Sequence, residues 1–194
     1  MPSEEYRRTS IAEQSIEVAG KVRELEVGPL SVVGLGFGAV VALELALADP
    51  GLVDRAFMIE PPVLGALSAA TEGMSADVEA IRAAAEAGGE EAAYELYLAG
   101  GLPTLGAGAE RFAAEADRGP YAARAFLVEL PAVPAWPLDP VRLAGLEAEV
   151  AVVTLPSTPA LLASAAETVV ERVPGATAVR ATRDGVSAVP GLFA

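Results

Sequence analysis

The stretch best placed to hold a reactive group is Gly34-Leu35-Gly36-Phe37-Gly38, which lies between a run of apolar residues and a helical pattern. A strand that turns at once into a helix usually serves to present one reactive side chain at the turn. Here the middle residue is Gly36, which has no side chain. Because glycine adopts a positive φ at little cost, the sequence predicts a sharp turn with no reactive side chain at its centre.

The remaining composition offers little to replace a nucleophile. The 194 residues include no histidine and no cysteine, which excludes an imidazole base, thiolate chemistry, disulfides and thiolate-bound zinc. We therefore expect no metal site and no cofactor. Two carboxylates are candidates for acid–base work, Glu60 at the end of a predicted strand and Asp184 in a C-terminal loop. The alternatives are a strand-end residue facing polar groups for Glu60 and a solvated loop residue for Asp184.

The charge balance excludes one class of partner. The net charge is −14, whereas binding to phosphate backbones depends on lysine and arginine, so we expect no nucleic-acid partner. No apolar run of about 18 residues is free of charges or breakers, so no membrane partner is expected either. The N-terminal "MPSEEYRRTS" lacks the apolar centre of a secretory signal, and a cytoplasmic location is expected.

Apolar patterns predict alternating strands and helices. The run "LSVVGLG" is continuous rather than alternating, as expected for a parallel strand covered on both faces. "VDRAFMIEPP" predicts a second buried strand, and "VAVVTL" and "ATAVRAT" predict two more. A capping box at Ser10 opens a first helix, Gly38 to Ala48 forms a second, and "TPALLASAAETVVERVPG" a third. This alternation predicts an α/β fold with a parallel sheet of about four strands flanked by helices.

Residues 63–146 depart from this alternation. "SADVEAIRAAAEAGGEEAAYELYLAGG" predicts two short amphipathic helices, with Ser75 capping the first and Gly88-Gly89 separating them. We therefore divide the chain into a core, residues 1–62 and 147–194, and a helical cap insertion, residues 63–146.

In this order of elements the chain resembles the C-terminal three-quarters of a small bacterial α/β-hydrolase. "GLGFG" stands where that family has its nucleophile elbow, G-x-S-x-G, and "FMIEPP" is similar to a strand that ends in Glu-Pro-Pro. "STPALLASAAETVVERVPGA" and "ATRDGVSAVPGLF" resemble the segment after the acid strand and the histidine loop. The resemblance implies the C-terminal half of the family's sheet, without its earlier strands.

The resemblance also implies three catalytic positions, and none of them carries the family's residue. The serine position falls on Gly36, and the histidine position falls near Gly185. The acid position falls among Pro156, Ser157 and Thr158, where the two hydroxyl residues are predicted to cap the following helix instead.

Functions of three kinds remain open. The first is a catalytically degenerate binding or assembly protein that takes a small hydrophobic ligand in a pocket lined by Gly34, Leu35, Gly36, Phe37 and Glu60. The second is an enzyme without a serine triad, which would use carboxylates to catalyse a cyclisation, an isomerisation or a decarboxylation. Residual activity of the hydrolase family belongs to this second kind. The third is a structural subunit whose partner chain supplies further strands.

The strand Leu30 to Gly36 is predicted to lie at an open edge of the sheet, because the family strand that would pair with it has no counterpart. Such an edge exposes unpaired N–H and C=O groups, and each one that is buried unpaired costs about 1–3 kcal/mol. We expect a homodimer that joins two sheets through this edge about a two-fold axis. The alternative is that residues 1–9 fold across it.

Overall fold

Four parallel strands form the centre of the structure, a computed structural model that describes residues 9–63, 67–102, 122–137 and 139–182. Their spatial order follows the chain, and each strand is parallel to its neighbours. This confirms the predicted four-stranded parallel sheet. The strands are β1 Leu30–Leu35, β2 Val53–Ile59, β3 Glu149–Thr154 and β4 Thr177–Arg180.

Helices connect the strands, and none in the described part of the chain is long and apolar enough to cross a bilayer. They are α1 Ile11–Glu24, α2 Phe37–Ala48, α3 Ser68–Leu98, α4 Ala122–Glu129, α5 Ala132–Ala135, α6 Pro140–Leu143 and α7 Ala160–Arg172. The capping box that opens α1 is confirmed, because Ser10 accepts from the backbone of Glu13 and Glu13 accepts from that of Ser10.

Helix α3 differs from the prediction for this region. It begins at Ser68 rather than being capped by Ser75, and the two predicted helices are the two halves of one element with a kink. The kink lies at Gly89, where φ is 83° and ψ is −177°. Glycine at this position provides a backbone conformation that other residues rarely adopt, and this non-helical residue confirms the predicted separation of two helices at Gly88-Gly89.

Helix α2 is buried on every side. All residues from Ala39 to Ala46 are buried, because α2 lies between the sheet and α1. The apolar residues of α2 are therefore not confined to one face, and the helix is hydrophobic on all sides. By contrast α1 buries only one stripe, which contains Ile11, Ala19 and Val22.

The described helices pack on one face of the sheet. Apolar residues of α1, α2 and α7 share one cluster with alternate strand residues such as Met58 and Val152, whereas the intervening Ile59 and Val153 belong to a separate cluster. On β1 the side chains of Val33 and Leu35 are each 37% exposed. The prediction that this strand is covered on both faces is therefore wrong. Val33 and Leu35 lie on the face of the sheet opposite α2, and β1 is the outermost strand of the described sheet.

The one charged residue in the middle of α2 is held by a buried polar network. Glu44 is 4% exposed, and its carboxylate accepts hydrogen bonds from Trp136 Nε1 at 2.9 Å and from Arg142 Nη1 and Nη2 at 2.9 and 2.8 Å. The hydrogen bond to Glu44 raises the pKa of Arg142 above its ordinary value. This network ties the segment that leads into β3 to the centre of α2.

We expect Arg142→Met to lower the free energy of unfolding by about 2–3 kcal/mol, because it leaves the buried Glu44 carboxylate without its bidentate partner. Urea denaturation measures this change. The matched control is Arg82→Met, which breaks an ion pair with Glu79 whose side chains are 47% and 66% exposed and should cost less than about 0.5 kcal/mol. Equal losses in the two variants would contradict the importance of the network.

Candidate functional site

Gly36 occupies a sharp turn between β1 and α2. It is the N-cap residue of α2 and has φ 55° and ψ −119°, a left-handed conformation that favours glycine. Its N–H donates to the carbonyl of Ile59 at 2.9 Å, and its own carbonyl accepts from Ala39 N at 3.0 Å. The backbone therefore connects the turn both to the end of β2 and to the first turn of α2.

The two glycines on either side of Gly36 allow the strand and the helix to touch. A Cβ atom added to Gly34 would lie 2.2 Å from the carbonyl oxygen of Gly38, which is backbone and cannot move aside. A Cβ atom added to Gly36 would have no atom within 4 Å. Position 34 is thus closed by the packing of the turn, whereas position 36 faces open space.

We expect Gly34→Ala to cost about 3 kcal/mol or more of folding stability, because the new methyl group overlaps the Gly38 backbone. Thermal and urea unfolding measure the loss. Gly20→Ala is the control, since the same change inside α1 meets no atom within 4 Å and should raise stability by roughly 0.5–1 kcal/mol. A Gly34→Ala variant as stable as the parent protein would contradict the described contact.

Glu60 lies beside this turn in a strained conformation. It follows β2, is 1% exposed and has φ 49°, a value that non-glycine residues rarely adopt. Its N–H donates to the carbonyl of Val153 at 3.0 Å, and the preceding Ile59 accepts from Gly36. Strain of this kind persists only where the surrounding structure enforces it, and it clusters at functional sites.

Thr158 holds the Glu60 side chain, and the sequence did not indicate this role. Its hydroxyl donates to Glu60 Oε1 at 2.5 Å and accepts from the N–H of Leu155 at 2.7 Å. The prediction that Ser157 and Thr158 cap the following helix is wrong, because the N-cap of α7 is Pro159 and no side chain caps it. A hydroxyl residue just after a strand can bond to local backbone, but its distant partner left no local signal.

Thr158→Val removes this donor from Glu60 and leaves the N–H of Leu155 without its acceptor, so we expect a loss of about 2–3 kcal/mol in the free energy of unfolding. Chemical denaturation provides the measurement. In the control Thr168→Val, the lost bond is a hydroxyl donation to the Ser164 carbonyl within α7, and the cost should stay below about 1 kcal/mol. A smaller loss for Thr158→Val than for the control would argue against the network.

Apolar side chains pack around Phe37, the residue after Gly36. Phe37 packs both against the main core and against a second cluster that joins α3, α5 and α7. That cluster contains Met74, Val133 and Ala165, with Leu67, Leu130, Leu161 and Leu162 packed against it. Burial raises the pKa of Glu129, the residue before Leu130, above its ordinary value.

The structure brings together only part of the pocket predicted from the sequence. Gly36, Phe37 and Glu60 lie at the ends of β1 and β2. Gly34 lies against Gly38. Leu35 lies on the face of the sheet that points away from α2. The degenerate position Ser157 is exposed in the turn after β3.

Two further candidates, Asp184 and Gly185, lie outside the described residues. Across residues 9–63, 67–102, 122–137 and 139–182, no group of three or more acidic, histidine or cysteine side chains is arranged to hold a metal ion.

Several solved structures of hydrolases share the fold of this chain. A hydrolase from Pseudomonas aeruginosa PA01 superimposes with a TM-score of 0.65 at 21% identity, over 96% of this chain and 70% of that one. An alpha/beta hydrolase from Sphaerobacter thermophilus gives 0.65 at 17% identity, over 96% and 74%. The enol-lactonase from Burkholderia xenovorans LB400 gives 0.62 at 14%, over 95% and 69%.

The sequence itself matches no protein-family model, and no curated protein matches it. At 14–21% identity the structural likeness establishes the fold, and it confirms the fold that the sequence resemblance implied.

Proposed function

We propose that this protein, whose fold is that of the α/β-hydrolases, binds a small apolar ligand beside Gly36 without hydrolysing it. The observation that carries this proposal is the geometry of Gly36. The turn keeps the sharp strand-to-helix backbone, but its central residue has no side chain, and a Cβ added there would face open space.

Hydrolysis by the serine mechanism needs groups that this sequence does not contain. A serine nucleophile requires a base to take its proton, and the usual base is histidine. The chain has no histidine at all, and position 36 is glycine. Thr158 supplies a hydroxyl nearby, but that hydroxyl already donates to Glu60.

The surroundings of Gly36 favour a neutral, largely apolar ligand. Phe37 and the partly buried leucines around the cluster of α3, α5 and α7 offer apolar contacts, and small-molecule sites are mostly apolar with a few placed polar groups. The first amide of α2, that of Phe37, can donate to a ligand carbonyl. The net charge of −14 disfavours an anionic ligand.

The first measurement is hydrolysis of 4-nitrophenyl acetate and butyrate by the purified protein. We expect rates equal to those in buffer, and equal rates again for Gly36→Ser, because a serine at this position still has no histidine to activate it. Hydrolysis above background that is lost in Glu60→Gln would overturn the proposal.

The second measurement is a fluorescence titration with Nile red, a neutral apolar dye. We expect saturable binding that is weakened at least about tenfold by Gly36→Leu, since the new side chain fills the space beside the turn and tenfold corresponds to about 1.4 kcal/mol. Gly28→Leu is the control, because Gly28 is exposed in a loop with no atom within 4 Å of an added Cβ. Thermal melts verify that both variants are folded. Equal binding by the two variants would place the dye elsewhere and contradict the site.

A second candidate function is proton transfer by Glu60 in an enzyme without a serine triad. Its strained backbone, its burial and its bond to Thr158 next to an open position favour this candidate. The test is deuterium exchange at the carbon next to the carbonyl of cyclohexanone in D2O, followed by NMR. Exchange above buffer that is lost in Glu60→Gln, but kept in the exposed-residue control Glu17→Gln, would support catalysis and replace the purely binding role.

A further inference from the structure

Within the part of the chain that the structure describes, the outer edge of β1 pairs with no other strand. The N–H groups of Leu30 and Gly36 both donate to the β2 side, to Leu52 and Ile59. Because successive peptide groups of a strand point to opposite edges, those of Ser31, Val33 and Leu35 point away from β2. Within the described residues β1 pairs only with β2, so these groups have no strand partner there.

This edge lacks two of the features that usually prevent strand pairing, charge and proline, and its register shift against β2 lies at its start, between Leu30 and Ser31. Residues 30–35 contain no charged residue and no proline. The side chains of Val33 and Leu35 are each 37% exposed. Arg55 lies opposite Ser31 on β2, and it neutralises Glu149 of β3 in an ion pair of 2.9 Å.

The charge distribution selects the occupant. With a net charge of −14, two copies of this chain repel each other over most of their surfaces. The strip formed by β1 and the Arg55–Glu149 pair is locally neutral, so here two copies meet without like charges facing each other. A strand edge is also complementary to itself under a two-fold axis.

We propose that a second copy of this chain pairs antiparallel with the outer edge of β1, about a two-fold axis at Val33. Val33 then lies opposite its own counterpart, and Ser31 of each copy lies opposite Leu35 of the other. Each of these three residues can exchange both its N–H and its C=O bond, as hydrogen-bonded antiparallel pairs do. The two four-stranded sheets become one continuous sheet. This assembly does not depend on the proposed ligand site.

The mass in solution tests the assembly. Light scattering on the eluting protein should give twice the chain mass of 19.7 kDa at micromolar concentrations. Val33→Lys should raise the dissociation constant of the dimer at least about tenfold, because it places two like charges opposite each other. The control Ile16→Lys changes a 67% exposed residue on α1 and should leave the dimer unchanged. Thermal melts establish that both variants fold.

Cysteine cross-linking tests the register, and the absence of native cysteine makes it clean. Val33→Cys should form a disulfide-linked dimer on oxidation, since Cα atoms of such a pair are about 5.5 Å apart and disulfides span roughly 4.4–6.8 Å. Leu35→Cys alone should not cross-link, but a mixture with Ser31→Cys should. Val141→Cys, at an 82% exposed position on α6, is the negative control.

Three results would overturn this proposal. The first is a single-chain mass at about 100 µM, a concentration that reveals even weak dimers. The second is a dimer that persists in Val33→Lys and does not cross-link through Val33→Cys, which would place the interface elsewhere. The third is co-purification of a different polypeptide, if the protein remains a monomer after that polypeptide is removed.

Discussion

The contact between Gly34 and the carbonyl of Gly38 is the constraint on which the rest of the structure depends. No side chain fits between these residues, because an added Cβ would lie 2.2 Å from the Gly38 oxygen. The strand and the following helix therefore meet with their backbones touching, and Gly36 between them has φ 55°. From this turn α2 runs through the middle of the core, buried from Ala39 to Ala46.

A helix buried this deeply needs a partner for any charge that it carries, because an isolated buried charge costs several kcal/mol. Glu44 meets this requirement through Trp136 and Arg142, and Glu60 receives a hydroxyl donor from Thr158. Both carboxylates precede residues 63–146, the predicted helical insertion. Trp136 and Arg142 lie near the end of that range, and Thr158 lies after it. The two networks therefore fix how the chain returns from this segment to the sheet.

The site and the sheet edge have a common origin in the backbone. At Gly36 the turn retains the geometry that presents a side chain, but it leaves space where the side chain would be. At β1 the strand retains its ladder with β2, and its other edge faces no strand among the described residues. In both places the backbone rather than a reactive side chain is available for interaction, which is why binding and assembly are the functions that we infer.

Local sequence determined much of this protein. The glycines at 34, 36 and 38 specify a strand-to-helix turn, and the capping box at Ser10 specifies the start of α1, because both depend on contacts within a few residues. Apolar patterns marked all four strands, and the alternation of strands with helices predicted their parallel pairing. The absence of histidine excluded the usual base before any geometry was known.

Tertiary structure alone decided how distant residues combine. Thr158 looked like a helix cap, but it bonds Glu60, 98 positions earlier, because parallel strands bring the ends of β2 and β3 side by side. The exposure of Val33 likewise follows from the position of β1 in the sheet and from which face the helices cover, not from its apolar neighbours in sequence. A sequence pattern records the local preference of a residue, whereas its partner and its burial depend on which elements the fold places beside it.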